Sequence, residues 1–190
     1  MRIGLFGGTF DPVHLGHLLV AQTAKEELGL SRIFFIPAAQ SPFKPDRKTA
    51  SANDRVRMLR LALAGQTDCE IDEQELSRGG VSYTIDTVRS YAQKFPGAQL
   101  FYLIGADHVP SLPKWREAEE LARTAEFAVI PRPGQGDVSF PSPFRGKALK
   151  GFPVGISSSE IRARVSAGLT IRNLVPDVVA EAIRNYRLYL

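Results

Sequence analysis

The chain has 190 residues, 24 basic against 20 acidic side chains for a formal charge of +4, and 44% apolar content with 23% charged. These values exclude a disordered, collagen-like or coiled-coil polypeptide, and no apolar run reaches the roughly 18 residues of a membrane span. The mild positive excess suits anionic small molecules and lacks the basic run of a nucleic-acid-binding tail, while the single cysteine, Cys69, closes no internal disulfide and points to a reducing cytoplasm.

Short apolar runs alternate with longer amphipathic ones from the start. RIGLF (2–6) reads as a strand with no secretory h-region before it; a helical pattern follows over about His14–Leu28, then the strand RIFFIP (32–37) and a helix over about Asn53–Ala64. Ser51 with Asp54 predicts the start of the second helix, and Gly29 and Gly65 stand just past the first two. Further strands are expected at Glu70–Asp72, Gln99–Ile104 and Ala125–Ile130, with a weaker one near Leu149–Val154. Further helices are expected at about Thr84–Lys94, Arg116–Arg123, Ser158–Ala167 and Asp177–Arg187. This rhythm predicts an α/β fold of one domain over 1–190, its sheet mainly parallel and covered by helices. Two loops, 38–50 and 132–146, are long enough to serve a site.

The stretch GGTFDPVHLGH (7–17) follows the first strand and holds two of the three histidines. A glycine-containing turn from strand to helix offers backbone N–H groups and a helix N-terminus to phosphates. The spacing matches neither G-x-G-x-x-G nor a Walker A loop. Asp11 and Pro12 are expected as N-cap and first helical residue. His14 and His17 would then lie about 60° apart on one helix face, with Gly16 between them opening the backbone to a ligand. A zinc site is not expected, since His108 and Cys69 are the only other histidine and cysteine.

Later motifs add to this picture. ISSSEIR (156–162) reads as a capping box of Ser157 and Glu160 with a staple of Ile156 and Ile161, a defined helix start that is either simply a capped helix or an anion site with Arg162 one turn in. LIGADH (103–108) ends a central strand, where Gly105 permits close approach and Asp107 is either a ribose acceptor or a helix cap. Trp115, the only tryptophan, offers a plane for an aromatic ring or a place in the core, and Thr84 is a good N-cap.

Taken together, GLFGGTFDPVHLGH, GVSYTIDTV (80–88), LIGADHVPSLPKW (103–115), VIPRPG (129–134) and ISSSEIR resemble, in order and spacing, the nucleotidyltransferases marked by H-x-G-H, and among them the bacterial nicotinate-nucleotide adenylyltransferases. The resemblance covers essentially the whole chain. It implies a Rossmann-like open sheet with helices on both faces, and adenylyl transfer from ATP to nicotinate mononucleotide in NAD biosynthesis. It implies catalytic roles for His14, His17 and Arg162; the imidazoles are expected to donate to the triphosphate, the protonated form being the better donor as charge develops on the leaving pyrophosphate. ATP would lie on Gly7, Gly8, Thr9, Phe10, Gly16, Gly105, Asp107, Ile156, Ser157 and Ser158. Nicotinate mononucleotide would lie on Lys44, Tyr83, Thr84, Trp115 and Arg132. Mg²⁺ would be carried mainly by the ATP phosphates, and no nucleic acid or membrane is expected as partner, with a homo-oligomer left open. The chain departs from the family in the loop SPFKP, where Phe43 replaces a histidine, and at Ala38-Ala39, where some members carry asparagine.

The competing readings are a transferase of the same superfamily acting on phosphopantetheine or CTP, a tRNA synthetase fragment, and a nucleotide- or RNA-binding module. The synthetase reading lacks a K-M-S-K-S-like loop. The binding module gives no reason for paired histidines together with a capped serine helix.

Overall fold

A computed structural model describes residues 1–42, 49–129, 138–152 and 154–190. Among the described residues six strands form one sheet: β1 (Arg2–Gly8), β2 (Arg32–Pro37), β3 (Cys69–Ile71), β4 (Gln99–Leu103), β5 (Glu126–Val129) and β6 (Gly146–Ala148). Their order is β3-β2-β1-β4-β5-β6, and every pairing is parallel. The order reverses between β1 and β4, the topological switch point of a doubly wound sheet.

Strand alternation sends side chains to both faces, and both are apolar, as a parallel sheet covered on each side requires. Ile33 and Phe35 of β2 with Phe101 and Leu103 of β4 enter one core, which α1 (Leu15–Leu28), α2 (Ala52–Ala62), α6 (Ser158–Ser166) and α7 (Asp177–Asn185) cover. Ile3 and Leu5 of β1 with Phe34 and Tyr102 enter the other, under α4 (Thr84–Lys94), α5 (Ala118–Thr124) and a 3₁₀ helix over Ala106–Lys114. The short α3 (Gln74–Arg78) packs beside β2. No described helix is long and apolar enough to cross a membrane.

Several local expectations hold. Ser51 Oγ accepts from the Asp54 N–H (3.1 Å) at the start of α2, Gly29 takes the left-handed C-cap (φ 60°) of α1, and α4 has the expected bounds. Others are corrected. Helix α1 begins at Leu15 with His14 as N-cap, so Asp11 and Pro12, joined by a cis bond, stand outside it. The Asp11 carboxylate is occupied elsewhere, accepting from Ala50 N–H and Tyr189 hydroxyl. Tyr83, not Thr84, is the N-cap of α4, and it makes no side-chain cap bond. Asp107 lies in the first turn of the 3₁₀ helix, whose N-cap is Gly105. The last strand falls at Gly146–Ala148 rather than near 149–154: Leu149 N–H still donates to Val129 carbonyl, but Lys150 and Gly151 N–H groups turn away to the Glu27 carboxylate.

Candidate functional site

An open cleft of about 610 Å³ lies over the carboxyl ends of β1, β2 and β4, where an open α/β sheet offers its ligand crevice and within the range of small-molecule sites. The β1–α1 turn contributes Gly7, Gly8, Thr9, Phe10, His14, Gly16 and His17. Facing them are Gly105, Asp107 and Trp115 after β4, Thr84 at the start of α4, and Ile156, Ser157, Ser158 and Arg162 at the start of α6. Among the described candidates only Tyr83 does not line the cleft. Its ring packs on the second core, beneath the Arg116 guanidinium at 4.7 Å. Lys44 and Arg132, and Phe43 with them, lie outside the described residues.

The two histidines form a stacked pair, with ring centroids 3.7 Å apart and an interplanar angle of 28°. The His14 backbone N–H donates to His17 Nδ1 (3.2 Å), which caps the helix and leaves the neutral His17 ring its proton on Nε2. The His17 ring also packs edge-on against Phe10, centroids 5.0 Å apart. Burial lowers the His14 pKa to about 4. Burial, with the neighbouring His14 second, drives His17 well below its ordinary value. Both rings are therefore neutral near pH 7 in the free protein. His14 Nδ1 is buried with no hydrogen-bond partner among the described residues.

The start of α6 is clamped to this turn. Ser157 Oγ accepts from the Glu160 N–H (3.2 Å) as the expected N-cap, and Ser158 hydroxyl donates to the Pro12 carbonyl (2.9 Å). Arg162 Nη1 donates to the Asp11 carbonyl (2.6 Å) and lies 3.7 Å from Asp11 Oδ2. Helix N-terminus, Arg162 and histidine pair thus border one space, which suits a polyphosphate.

The glycines have internal reasons that the sequence reading missed. A Cβ on Gly7 would overlap the Tyr102 hydroxyl, and one on Gly8 would crowd the Phe10 ring at 3.1 Å. At Gly16 it would meet His14 Nδ1 at 3.0 Å, and at Gly105 it would meet Asp107 Oδ1 at 2.5 Å. The glycines let these side chains fold back over the strand ends. Phe10 itself is in the left-handed region (φ 49°) and only 1% exposed, a strained conformation held by packing.

Three further residues were not foreseen. Arg55 is 3% exposed and its Nη1 donates to the carbonyls of Thr9 (2.8 Å) and Ala38 (2.9 Å), tying the ends of β1 and β2 together. Glu75, also 3% exposed, lines the cleft and accepts from Thr87 hydroxyl (2.5 Å), and burial pushes its carboxyl pKa up. Asp11, 1% exposed, is the third. The Glu75–Thr87 bond spans 12 residues of sequence and the Asp11–Tyr189 bond 178, beyond the reach of a capping or turn motif. Trp115 takes its place in the second core, its indole N–H donating to Ser111 Oγ (3.1 Å) and its ring meeting Phe127 edge-on, and it also lines the cleft.

Comparison with known proteins agrees with this geometry. The cytidylyltransferase-like family model matches residues 5–164. A protein named "probable nicotinate-nucleotide adenylyltransferase" from Opitutus terrae is 41% identical over 192 residues, covering 100% of this chain and 98% of its own. One of the same name from Gemmatimonas aurantiaca is 43% identical over 196 residues, with coverage of 100% and 92%. A solved structure of Plasmodium falciparum nicotinic acid mononucleotide adenylyltransferase complexed with NaAD superposes with a TM-score of 0.80 at 18% identity, covering 99% of this chain and 97% of that one, and so shares the fold. By its family model, its full-length relatives and its sheet order, the chain belongs to the cytidylyltransferase-like family and, within it, to the nicotinate-nucleotide adenylyltransferases.

Proposed function

We propose that the chain transfers the adenylyl group of ATP to nicotinate mononucleotide, a step of NAD biosynthesis. A phosphate oxygen of the mononucleotide attacks the α-phosphorus, the bond from that phosphorus to the bridging α–β oxygen breaks, and nicotinate adenine dinucleotide and pyrophosphate leave. The attacking phosphate is already ionised near neutral pH, so no general base is needed. Positioning and charge stabilisation carry the reaction. The observation that carries this reading is the stacked His14–His17 pair facing the capped start of α6 across one cleft at the switch point.

In this reading the His17 Nε2–H donates to the triphosphate as a neutral group. The arriving negative charge opposes the desolvation that lowers both imidazole pKa values, so charge on the pair rises only once substrate is bound. Ser157, Ser158 and Arg162 hold the outer phosphates, and Gly105 and Asp107 take the adenosine half. Thr84 and Trp115 take the pyridine ring, with Lys44 and Arg132 assigned to mononucleotide and phosphate by family resemblance alone. Mg²⁺ would be carried by the triphosphate and would supply partial neutralisation of its charge. Its ligands are assigned to phosphate oxygens and water on the general coordination preference of Mg²⁺. A cytoplasmic setting fits these substrates and the single cysteine.

The test is pyrophosphate release from ATP and Mg²⁺ with nicotinate mononucleotide, nicotinamide mononucleotide and phosphopantetheine in parallel, products identified by mass. Dinucleotide from the nicotinate substrate, with little from the others, is the expected result. Product from phosphopantetheine alone would reassign the acceptor, and no release with any would overturn the transferase reading.

A further inference from the structure

The C-terminal turn packs behind a residue of this cleft's wall, Asp11. Helix α7 ends at Asn185, and beyond it Arg187 (φ 50°) and Tyr189 (φ 67°) take left-handed backbone, a conformation that persists where surrounding contacts over-determine it. The contact is specific: Tyr189 hydroxyl donates to Asp11 Oδ1 at 2.8 Å, across 178 residues of sequence. Burial and the adjacent Asp11 both push the Tyr189 phenol pKa up, so the hydroxyl stays a donor through the working pH range.

Asp11 lines the cleft, is 1% exposed, and stands one residue before the Pro12 carbonyl that anchors α6. A carboxylate there faces a choice. Its Oδ1 is held by Tyr189 hydroxyl and by Ala50 N–H (3.1 Å), while Oδ2 has no hydrogen-bond partner among the described residues and lies 3.7 Å from Arg162 Nη1. Arg162 instead bonds the Asp11 backbone carbonyl (2.6 Å) and Ser159 Oγ (3.2 Å). Those bonds leave other N–H groups of the five-donor guanidinium fork for an anion. A carboxylate released from Oδ1 would rotate into a bidentate pair with Arg162, the preferred geometry for these two groups, and withdraw that arginine from the cleft.

We propose that Tyr189 is a positioning residue of the adenylyl-transfer site: its hydroxyl locks the Asp11 carboxylate, which keeps Arg162 directed at the polyphosphate. The proposal rests on the transferase reading above. It makes the last turn of the chain part of the active site without contact to substrate.

The test compares Tyr189→Phe, Asp11→Asn and the double variant with wild type, in full-length protein, measuring kcat, KM for nicotinate mononucleotide and the thermal midpoint. Tyr189→Phe is expected to lower kcat about tenfold, the scale of one lost hydrogen bond to a charged group, with that KM within about twofold. In the Asp11→Asn background the same change should cost less than about twofold, because non-additivity marks residues acting through one another. Should Asp11→Asn not fold, Arg162→Lys supplies the background with the same criterion. An unchanged kcat in folded Tyr189→Phe, or factors that multiply in the double variant, would overturn the proposal. Wild type inactive on ATP and nicotinate mononucleotide would sink the function reading instead. In that event the Arg162 Nε–H NMR resonance of the free protein still decides: it should shift in Tyr189→Phe, and an unmoved resonance refutes the clamp.

Discussion

Acid should destabilise this protein through His14 in particular. The ring is 7% exposed, and burial holds its folded pKa at about 4 against an ordinary value of 6.5. Between those values the unfolded chain binds a proton that the folded chain refuses, so stability is complete above pH 6.5 and falls as pH drops toward 4. At about pH 4.5 the loss is about two pH units' worth, on the order of 2–3 kcal/mol. His17, also lowered by burial, adds in the same direction. Glu75 contributes the opposite slope, since burial raises its pKa and its protonated form suits the fold. Urea unfolding at about pH 7 and about pH 4.5, in wild type and His14→Asn, separates these terms, because Glu75 and the other carboxylates are common to both proteins. The variant should lose about 2 kcal/mol less than wild type over that interval. Equal losses would refute the claim that His14 is held neutral by burial.

Other perturbations test the packing of the same site. Gly7→Ala sets a Cβ against the buried Tyr102 hydroxyl and should cost about 1–3 kcal/mol in urea unfolding. Adding Tyr102→Phe should recover part of that, since the ring carbon Cζ would still lie 3.0 Å from the new Cβ; no recovery would mean the strain lies elsewhere. Ser157→Ala removes the N-cap acceptor of α6 and should cost about 1 kcal/mol, with a raised KM for ATP in steady-state kinetics and little change in that for nicotinate mononucleotide.

Local chemistry was legible in the sequence and long-range chemistry was not. Ser51, Gly29 and the ISSSEIR cap were readable because their partners are within a few residues, and β1, β2 and α4 because their apolar periods are regular. The 3₁₀ helix over Ala106–Lys114 was hidden by Pro110 and Pro113, and β6, three residues without apolar alternation, by its shortness. The histidine pair was readable as a pair. Its charge state was not, because desolvation depends on what Phe6, Phe10 and the returning chain bury around it. Asp11 was misread as a helix cap for a related reason: its partners, Ala50, Arg162 and Tyr189, are brought to it only by the finished fold.

The central claim is that the stacked histidines act on the polyphosphate in the transition state, and His17→Asn tests it most directly. Asparagine Oδ1 can take the place of Nδ1 as acceptor for the His14 N–H, so the helix start survives while the Nε2–H donor is lost. The account predicts that kcat for dinucleotide formation falls by at least about a hundredfold, the scale of one lost transition-state donor, while KM for nicotinate mononucleotide stays within about threefold. Near-normal turnover in the folded variant would contradict it.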